Sequence, residues 1–227
     1  MSTGSLPWEL AGVDPRSLRI EPMGDFSFDP STHIYTSRGL RVPSVTQAIK
    51  LLPHIGADYS RVDPEDLERK RAIGVLVHDA CAILDEGDDL DWGALGESRG
   101  YVEGYRRFLL DTRFRPRLIE YHRVAAVTGM KYGMKLDREG VLGREPVVLD
   151  IKTAEQVEPS WGIQTAAYAL GLPRPVLPPF QYTRYAVILK PNGTYKLHTF
   201  DDPDDPGVFK SALHLAYWAI RHGKKLE

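Results

Sequence analysis

The chain has a single cysteine, Cys81, among its 227 residues. One cysteine cannot form an internal disulfide, a cysteine-rich zinc site or an iron–sulfur cluster held by cysteines of the same chain. Any bound metal must therefore be held by oxygen and nitrogen ligands. Cys81 lies within an apolar helical pattern, which favours a buried side chain over a reactive thiol.

Long apolar runs are also missing, since even the longest, such as residues 124–127, are very short. A membrane-spanning helix needs roughly 20 apolar residues. The N-terminus has no basic segment followed by an apolar one, as a secretory signal would have. We therefore expect a cytoplasmic protein that makes no use of a membrane.

Neither sign of charge dominates, because 29 Lys and Arg residues and 31 Asp and Glu residues give a net charge of −2. Proteins that coat DNA nonspecifically are usually strongly basic. An enzyme that gathers acidic residues around Mg²⁺ and basic residues along a DNA track can still be neutral overall. The net charge therefore neither supports nor excludes binding of nucleic acid.

The chain has an ordinary globular composition, with 42% hydrophobic and 26% charged residues, and is long enough for one sizeable core. Residues 1–24 look irregular. Periodicity, capping residues and turn residues then predict a definite order of elements. This order is a hairpin near 26–35, a helix from Ser44 to 52, helices at 63–87 and 97–114, strands at 118–127, 131–142 and 147–152, a helix at 160–170, a hairpin at 185–200 and a final helix from 205 to 223.

This order predicts a mixed α/β (α+β) fold, in which a central mixed β-sheet is flanked by helices. We place a small N-terminal extension, a hairpin plus a short helix, at residues 1–62. The remaining core then spans residues 63–227.

Asp150 and Lys152 end an apolar strand and, being two residues apart, point to the same face, while Leu149 and Ile151 point inward. This arrangement suits a site in which the Asp binds a metal and the Lys orients or deprotonates a water. Taken alone, Asp150 and Lys152 are more simply explained as a surface ion pair. Asp137 lies on the preceding antiparallel strand, and a short turn brings it near Asp150. Two adjacent carboxylates repel unless a cation lies between them, which favours Mg²⁺ or Mn²⁺.

Two helices carry further candidates. Gly74 and His78 lie four residues apart on one helical face, so the glycine leaves space one turn from the imidazole. Gln164 and Tyr168 have the same spacing on a later helix and offer groups that hold a phosphate or steer Lys152. A structural histidine and an ordinary amphipathic helix are the alternative interpretations.

Together these positions form an ordered set that resembles the PD-(D/E)XK nuclease superfamily, in its RecB-like branch with Cas4-type and phage-type exonucleases. The set has a Gly-x-x-x-His helix, a strand with Glu120, a Gly preceding Asp137, Asp-x-Lys and Gln-x-x-x-Tyr. The glycine, Gly133, lies one residue further from the Asp than in the usual motif. Segments 33–35 and 43–46 are similar to the N-terminal part of phage and mitochondrial members, which favours an exonuclease.

The resemblance implies a restriction-endonuclease-like core and a role for each matched residue. The implied metal ligands are His78, Asp137, Asp150 and the carbonyl of Ile151. Lys152 would position the attacking water and stabilise developing charge. Gln164 and Tyr168 would complete the catalytic site, and Glu120, also counted among the catalytic residues, would support the metal shell. The metal would be Mg²⁺ or Mn²⁺, with no iron–sulfur cluster although Cas4-type members carry one.

DNA is the expected partner, as a linear molecule that is single-stranded or has free ends, with an annealing protein or helicase as a possible second partner. Basic residues and one aromatic residue are candidates for DNA contact, although a solvated helix face or core packing explains them too. They are Arg106, Arg107, Arg113, Lys131, Lys135 and Trp161. Arg138 belongs to the same basic set. The alternatives to an exonuclease are a structure-specific or nicking endonuclease and a catalytically silent DNA-binding module.

Overall fold

The structure is a computed structural model that describes residues 26–53, 55, 62–172 and 182–226. It contains a three-stranded antiparallel sheet and a five-stranded mixed sheet flanked by helices. The predicted mixed α/β class, with a small N-terminal hairpin and helix, is therefore confirmed. The prediction of an irregular segment at residues 1–24 lies outside the described residues.

The N-terminal part follows the predicted hairpin, with β1 at Phe26–Asp29 and β2 at Ile34–Ser37. A third strand, β3 at Leu40–Val42, is too short to give a sequence pattern and was not predicted. Helix α1 spans Val45–Ile49 and begins with the predicted capping box between Ser44 and Gln47. The helix ends at Ile49, so the predicted continuation to residue 52 is wrong.

Two longer helices come next. Helix α2 spans Pro64–Glu86, with Asp63 as its N-cap, Pro64 in its first turn and Gly87 in the left-handed conformation at its end. Both ends match the prediction, because proline and glycine favour those positions. A 3₁₀ turn at Gly96–Ser98 leads into α3 at Arg99–Thr112.

The large sheet has the strand order β4-β5-β6-β7-β8. Its strands are β4 Arg115–Val127, β5 Met130–Leu142, β6 Glu145–Lys152, β7 Thr183–Leu189 and β8 Tyr195–Phe200. Neighbours are antiparallel except for the parallel pair β6 and β7, which are joined through helix α4 at Pro159–Gly171. Helix α5 at Asp205–Arg221 follows β8.

Helices cover both faces of this sheet. Leu149 and Ile151 pack in a core with residues of α2 and α3, such as Val77 and Phe108. Val148 packs in the other core with residues of α1, α4 and α5. Side chains of β6 alternate between the two faces as predicted, but helices cover both faces. Asp150 is therefore also buried, at 1% exposure.

The N-terminal sheet packs on β5. Gly133 donates a backbone hydrogen bond to the carbonyl of Pro43 at 2.9 Å, and the Tyr35 ring occupies the space where a Gly133 side chain would be. Tyr35 also makes a 3.0 Å hydrogen bond to Nδ1 of His122 on β4. The boundary at residue 62 stays a prediction. Within the described residues, no helix combines the length and apolar character needed to cross a bilayer.

Candidate metal centre

Two neighbouring strands bring Asp137 and Asp150 together. The register pairs Arg138 of β5 with Leu149 of β6, so Asp137 and Asp150 lie one step further along the same pair of strands. Oδ2 of Asp137 accepts a 2.8 Å hydrogen bond from the backbone N–H of Ile151. The proximity predicted for the two carboxylates is thus present in the fold.

Helix α2 adds His78 at the same place. Its Nε2 lies 3.1 Å from the carbonyl oxygen of Ile151, and its Nδ1 lies 3.3 Å from Oε1 of Glu120 and 3.7 Å from Oδ1 of Asp137. Ligand atoms of His78, Glu120 and Asp137 all lie within 4.8 Å of one another. This spacing allows the three side chains to hold one cation.

Glu120 reaches the centre through an unusual backbone conformation. Its φ is 45°, in the left-handed region that residues other than glycine rarely adopt. The neighbouring strand is irregular too: Leu136 packs with the helices on one face, whereas Arg138, two residues later, pairs with Asp85 of α2 on the other. A regular strand would keep them on one face. Such distortion is typical of functional sites, where the surrounding structure sustains the strain.

The carboxylate of Glu120 is surrounded by cations. Lys135 Nζ lies 2.6 Å from Oε2, and Arg138 Nη1 donates to Oε1 at 2.8 Å. Burial raises the pKa of Glu120, but the bonds to His78, Lys135 and Arg138 outweigh it and lower the pKa to about 2. Burial lowers the pKa of His78, but the charges of Asp137 and Glu120 outweigh it and raise the pKa above its ordinary value.

Asp150 has far fewer partners. Neither of its carboxylate oxygens makes a hydrogen bond within the described part of the chain. Lys152 Nζ is its ion-pair partner, 2.6 Å from Oδ2 but outside hydrogen-bonding geometry. Burial and the charge of Asp137 raise the pKa of Asp150 against the effect of Lys152. Lys152 supplies a positive charge, but both oxygens of Asp150 still lack a hydrogen bond from the described residues, and a divalent metal would complete them.

Lys152 is linked to the predicted pair on α4. Its Nζ donates to Oε1 of Gln164 at 3.2 Å, and the Gln164 amide donates to the Tyr168 hydroxyl at 2.7 Å. Burial lowers the pKa of Lys152, but Asp150 and Asp137 outweigh it and raise the pKa. Trp161 lies beside the ammonium, 5.3 Å from Nζ to the ring centroid, and is 6% exposed. Its ring packs against the lysine rather than standing at the surface.

An open cavity of about 290 Å³ borders the centre. Gly74 lines it, and a Cβ there would meet only Oγ1 of Thr153, at 3.8 Å. The glycine therefore leaves space beside His78, as its position on the helix predicted. Basic and acidic side chains share the wall, which is formed by Arg71, Gly74, Val75, His78, Asp79, Lys135 and Asp137.

The residues predicted to contact DNA are spread over several surfaces. Lys135 lines the cavity, while Lys131, on the same strand, donates to Ser37 Oγ at 2.8 Å. Arg106 and Arg107 are exposed on α3, and Arg113 follows that helix in the left-handed conformation. Arg138 is fully buried, so it does not belong to a surface track as the sequence suggested.

Sequence reasoning missed the residues behind the centre. The side chain of Asp85 is fully buried in its ion pair with Arg138 and also accepts a 2.8 Å hydrogen bond from the hydroxyl of Tyr105. Asp85 follows His78 by seven residues, which is two helical turns on one face. That spacing places Asp85 on the same helical face as His78. It does not distinguish Asp85 from the other charged residues of this long helix, so the sequence alone did not identify it. Arg71 of the cavity wall precedes His78 by the same interval.

In sequence comparisons, no profile of a known protein family matches the chain, and no curated protein matches it either. The geometry of the centre therefore carries the functional argument.

Proposed function

We propose that the protein is a metal-dependent deoxyribonuclease that hydrolyses phosphodiester bonds, and that it acts as an exonuclease related to the RecB-like branch of PD-(D/E)XK nucleases. The observation that carries this proposal is Asp150, a buried carboxylate without a hydrogen bond to either oxygen in the described residues. It lies near Asp137 and His78 and is followed, two residues later, by a partly buried lysine. A purely structural ion pair has no reason to leave such a carboxylate incomplete.

The cation would be held by His78, Asp137, Asp150 and the carbonyl of Ile151, with Glu120 supporting the set. Oxygen ligands with one imidazole suit Mg²⁺ or Mn²⁺. When bound, such an ion neutralises charge on a phosphate and lowers the pKa of a water molecule. The carbonyl of Ile151 already faces the imidazole of His78 at 3.1 Å, so two of these ligands are mutually oriented.

The chain's own contribution to hydrolysis centres on Lys152. Its ammonium is fixed between Asp150 and Gln164, and Tyr168 in turn fixes Gln164. A cation held in this way can hydrogen-bond the attacking water and stabilise the negative charge that develops on the phosphate oxygens. Trp161 restricts the side chain from behind, which maintains the position of the ammonium.

We infer DNA as the substrate from the cavity and the basic side chains in its wall. The cavity is open, and Arg71 and Lys135 border it close to the carboxylates. Positive side chains beside a cation site favour a phosphate group over a neutral ligand. The proposal includes action in the cytoplasm of a bacterial or phage-infected cell, in recombination, repair or phage DNA metabolism, with a helicase or annealing protein as partner.

The test is digestion of end-labelled linear DNA and of covalently closed circular DNA, each with Mg²⁺, Mn²⁺ or EDTA. Wild type is compared with Lys152→Ala and Asp150→Ala. Lys196→Ala serves as the control for Lys152→Ala, because Lys196 is an exposed lysine on β8 and its loss changes the net charge as the loss of Lys152 does. We expect metal-dependent loss of the linear substrate only, retained by the control and abolished by the other two substitutions.

The remaining outcomes separate the alternatives. Cleavage of the circle would replace the exonuclease with an endonuclease. DNA binding without cleavage of either substrate would support a silent binding module. Cleavage that survives EDTA or Lys152→Ala would reject the proposed site.

A further inference from the structure

Arg138 is a charged residue with no contact to solvent, at 0% exposure. It lies on β5 directly after Asp137. A buried guanidinium is costly unless nearby acceptors compensate its charge, so its position requires specific partners. Its Nε and Nη1 have such partners, whereas Nη2 makes no hydrogen bond within the described residues. The partners lie on three different elements.

One side of the guanidinium is anchored away from the cavity. Nε donates to the carboxylate of Asp85, which is itself fully buried on α2. The hydroxyl of Tyr105 on α3 donates to both oxygens of Asp85, at 2.8 and 3.0 Å. Asp85 therefore has a fixed orientation, and so does the arginine that it holds.

The other side faces the candidate metal centre. Nη1 donates to Oε1 of Glu120 at 2.8 Å and to the backbone carbonyl of Asp137 at 2.7 Å. Oε1 is the same oxygen that lies 3.3 Å from His78 Nδ1. Nη1, which belongs to a rigid planar group, thus fixes both the carboxylate of Glu120 and the main chain of Asp137.

We propose that Arg138 is a positioning residue, which orients Glu120 and Asp137 for cation binding and is itself oriented by Asp85 and Tyr105. This inference rests on the proposed function and extends it to residues that never touch the substrate. The strained backbone of Glu120 needs such support, because a φ of 45° is sustained only where the surrounding contacts enforce it. Loss of a partner that orients metal ligands typically lowers metal affinity by about 10- to 100-fold.

The test is calorimetric titration of the metal-stripped full-length protein with Mn²⁺ alone. Arg138→Lys keeps the charge but loses the planar fork. Arg184→Lys is the matched control, because Arg184 is another buried arginine, 8% exposed, whose partners Asp205, Gly162 and Asp202 lie outside the centre. Denaturant unfolding of each variant provides the stability against which affinity is compared.

We expect Arg138→Lys to bind Mn²⁺ about 10- to 100-fold more weakly than wild type, and Arg184→Lys to bind as wild type does at a similar loss of stability. Asp85→Asn, which leaves Arg138 in place without its anchor, should weaken binding in the same direction and gives a second reading if Arg138→Lys does not fold. Unchanged affinity in Arg138→Lys or, where that variant is unfolded, in Asp85→Asn would overturn the inference. Mn²⁺ binding by a wild type that cuts no DNA would reject the proposed function and leave this inference standing.

Discussion

Two buried polar clusters in this molecule are built in opposite ways. In the first, the Arg184 cluster, one guanidinium donates to the Asp205 carboxylate at 2.7 Å and to the carbonyls of Gly162 and Asp202 at 2.8 and 2.9 Å. The second is the candidate metal centre, where the partly buried Glu120 has three basic partners among the described residues, whereas the fully buried Asp150 has one lysine outside hydrogen-bonding geometry. Both clusters contain buried charged groups, but only in the Arg184 cluster do these groups have their hydrogen-bond partners in the described part of the chain.

The difference in hydrogen bonding indicates a structural role for the first cluster and a functional one for the second. The Arg184 cluster ties β7 to the starts of α4 and α5, and its groups compensate one another, as a structural ion pair requires. In the candidate metal centre, carboxylates lie close together and one residue has a strained backbone. Incomplete pairing costs stability, and natural proteins retain that cost mainly at functional sites.

The largest expected effect is on cleavage. Asp150→Asn removes a proposed ligand while keeping the shape of the side chain, so the cleavage rate with Mg²⁺ should fall about 1,000-fold or more. The thermal midpoint of the metal-free protein should shift much less than in the next variant. Gel-based cleavage rates and thermal unfolding measure the two quantities. If Asp150→Asn kept near-wild-type cleavage, the candidate metal centre would no longer differ in function from the Arg184 cluster.

Asp205→Asn should show the reverse pattern. It leaves the buried Arg184 guanidinium without its counter-charge, which should lower the free energy of unfolding by about 3 kcal/mol. Mn²⁺ affinity and the cleavage rate of the folded fraction should be unchanged. Urea unfolding and calorimetry test this pair of expectations. A loss of metal affinity as large as the loss of stability would mean that the two clusters are coupled.

Two glycines near the centre sharpen the comparison on a smaller scale. A Cβ at Gly133 would overlap the Tyr35 ring, so Gly133→Ala should destabilise the protein by about 1–3 kcal/mol. Gly74 has no such neighbour, and Gly74→Ala should stabilise helix α2 by up to about 1 kcal/mol. Urea unfolding of both variants checks the opposite signs. Equal destabilisation would show that the space beside His78 is not free.

The smallest effect concerns acid. The pKa of Glu120 is lowered to about 2, against an ordinary value of 4.5. A folded-state pKa below the unfolded value contributes stability that is present above pH 4.5 and is lost as the pH falls towards 2. Glu120→Gln should therefore show a flatter dependence of unfolding free energy on pH in that window, in EDTA. Parallel curves for the two proteins would contradict the ionised network around Glu120.

Much of the fold follows from local sequence. The capping box at Ser44, the proline and glycine that bound α2, and the Asn192-Gly193 turn each specify an element through contacts within a few residues. Alternation in residues 147–152 correctly placed Asp150 and Lys152 on one face. Such signals are local, so they can be read without the rest of the chain.

The candidate site was predictable as far as its residue types and spacings. The sequence placed Asp137 and Asp150 near each other on adjacent strands and joined Lys152 with Gln164 and Tyr168 into one set. It could not give the burial of Arg138, because an arginine next to an aspartate is compatible with either a surface track or a buried pair. The sequence also could not show that Trp161, a candidate for base stacking, packs beside Lys152 and against the sheet. The burial of a helix residue depends on how the helix packs on the sheet, which local sequence does not give.

The sequence by itself thus determined the order of elements, the mixed sheet and the set of polar residues gathered at one place. Only the tertiary structure decided how those residues share charge. Glu120 lies 42 residues from His78 and 18 from Arg138 along the chain, and its partners come from helix α2 and strand β5. Electrostatic pairing depends on distances of a few ångströms between such remote groups, and the packing of helices on the sheet sets those distances.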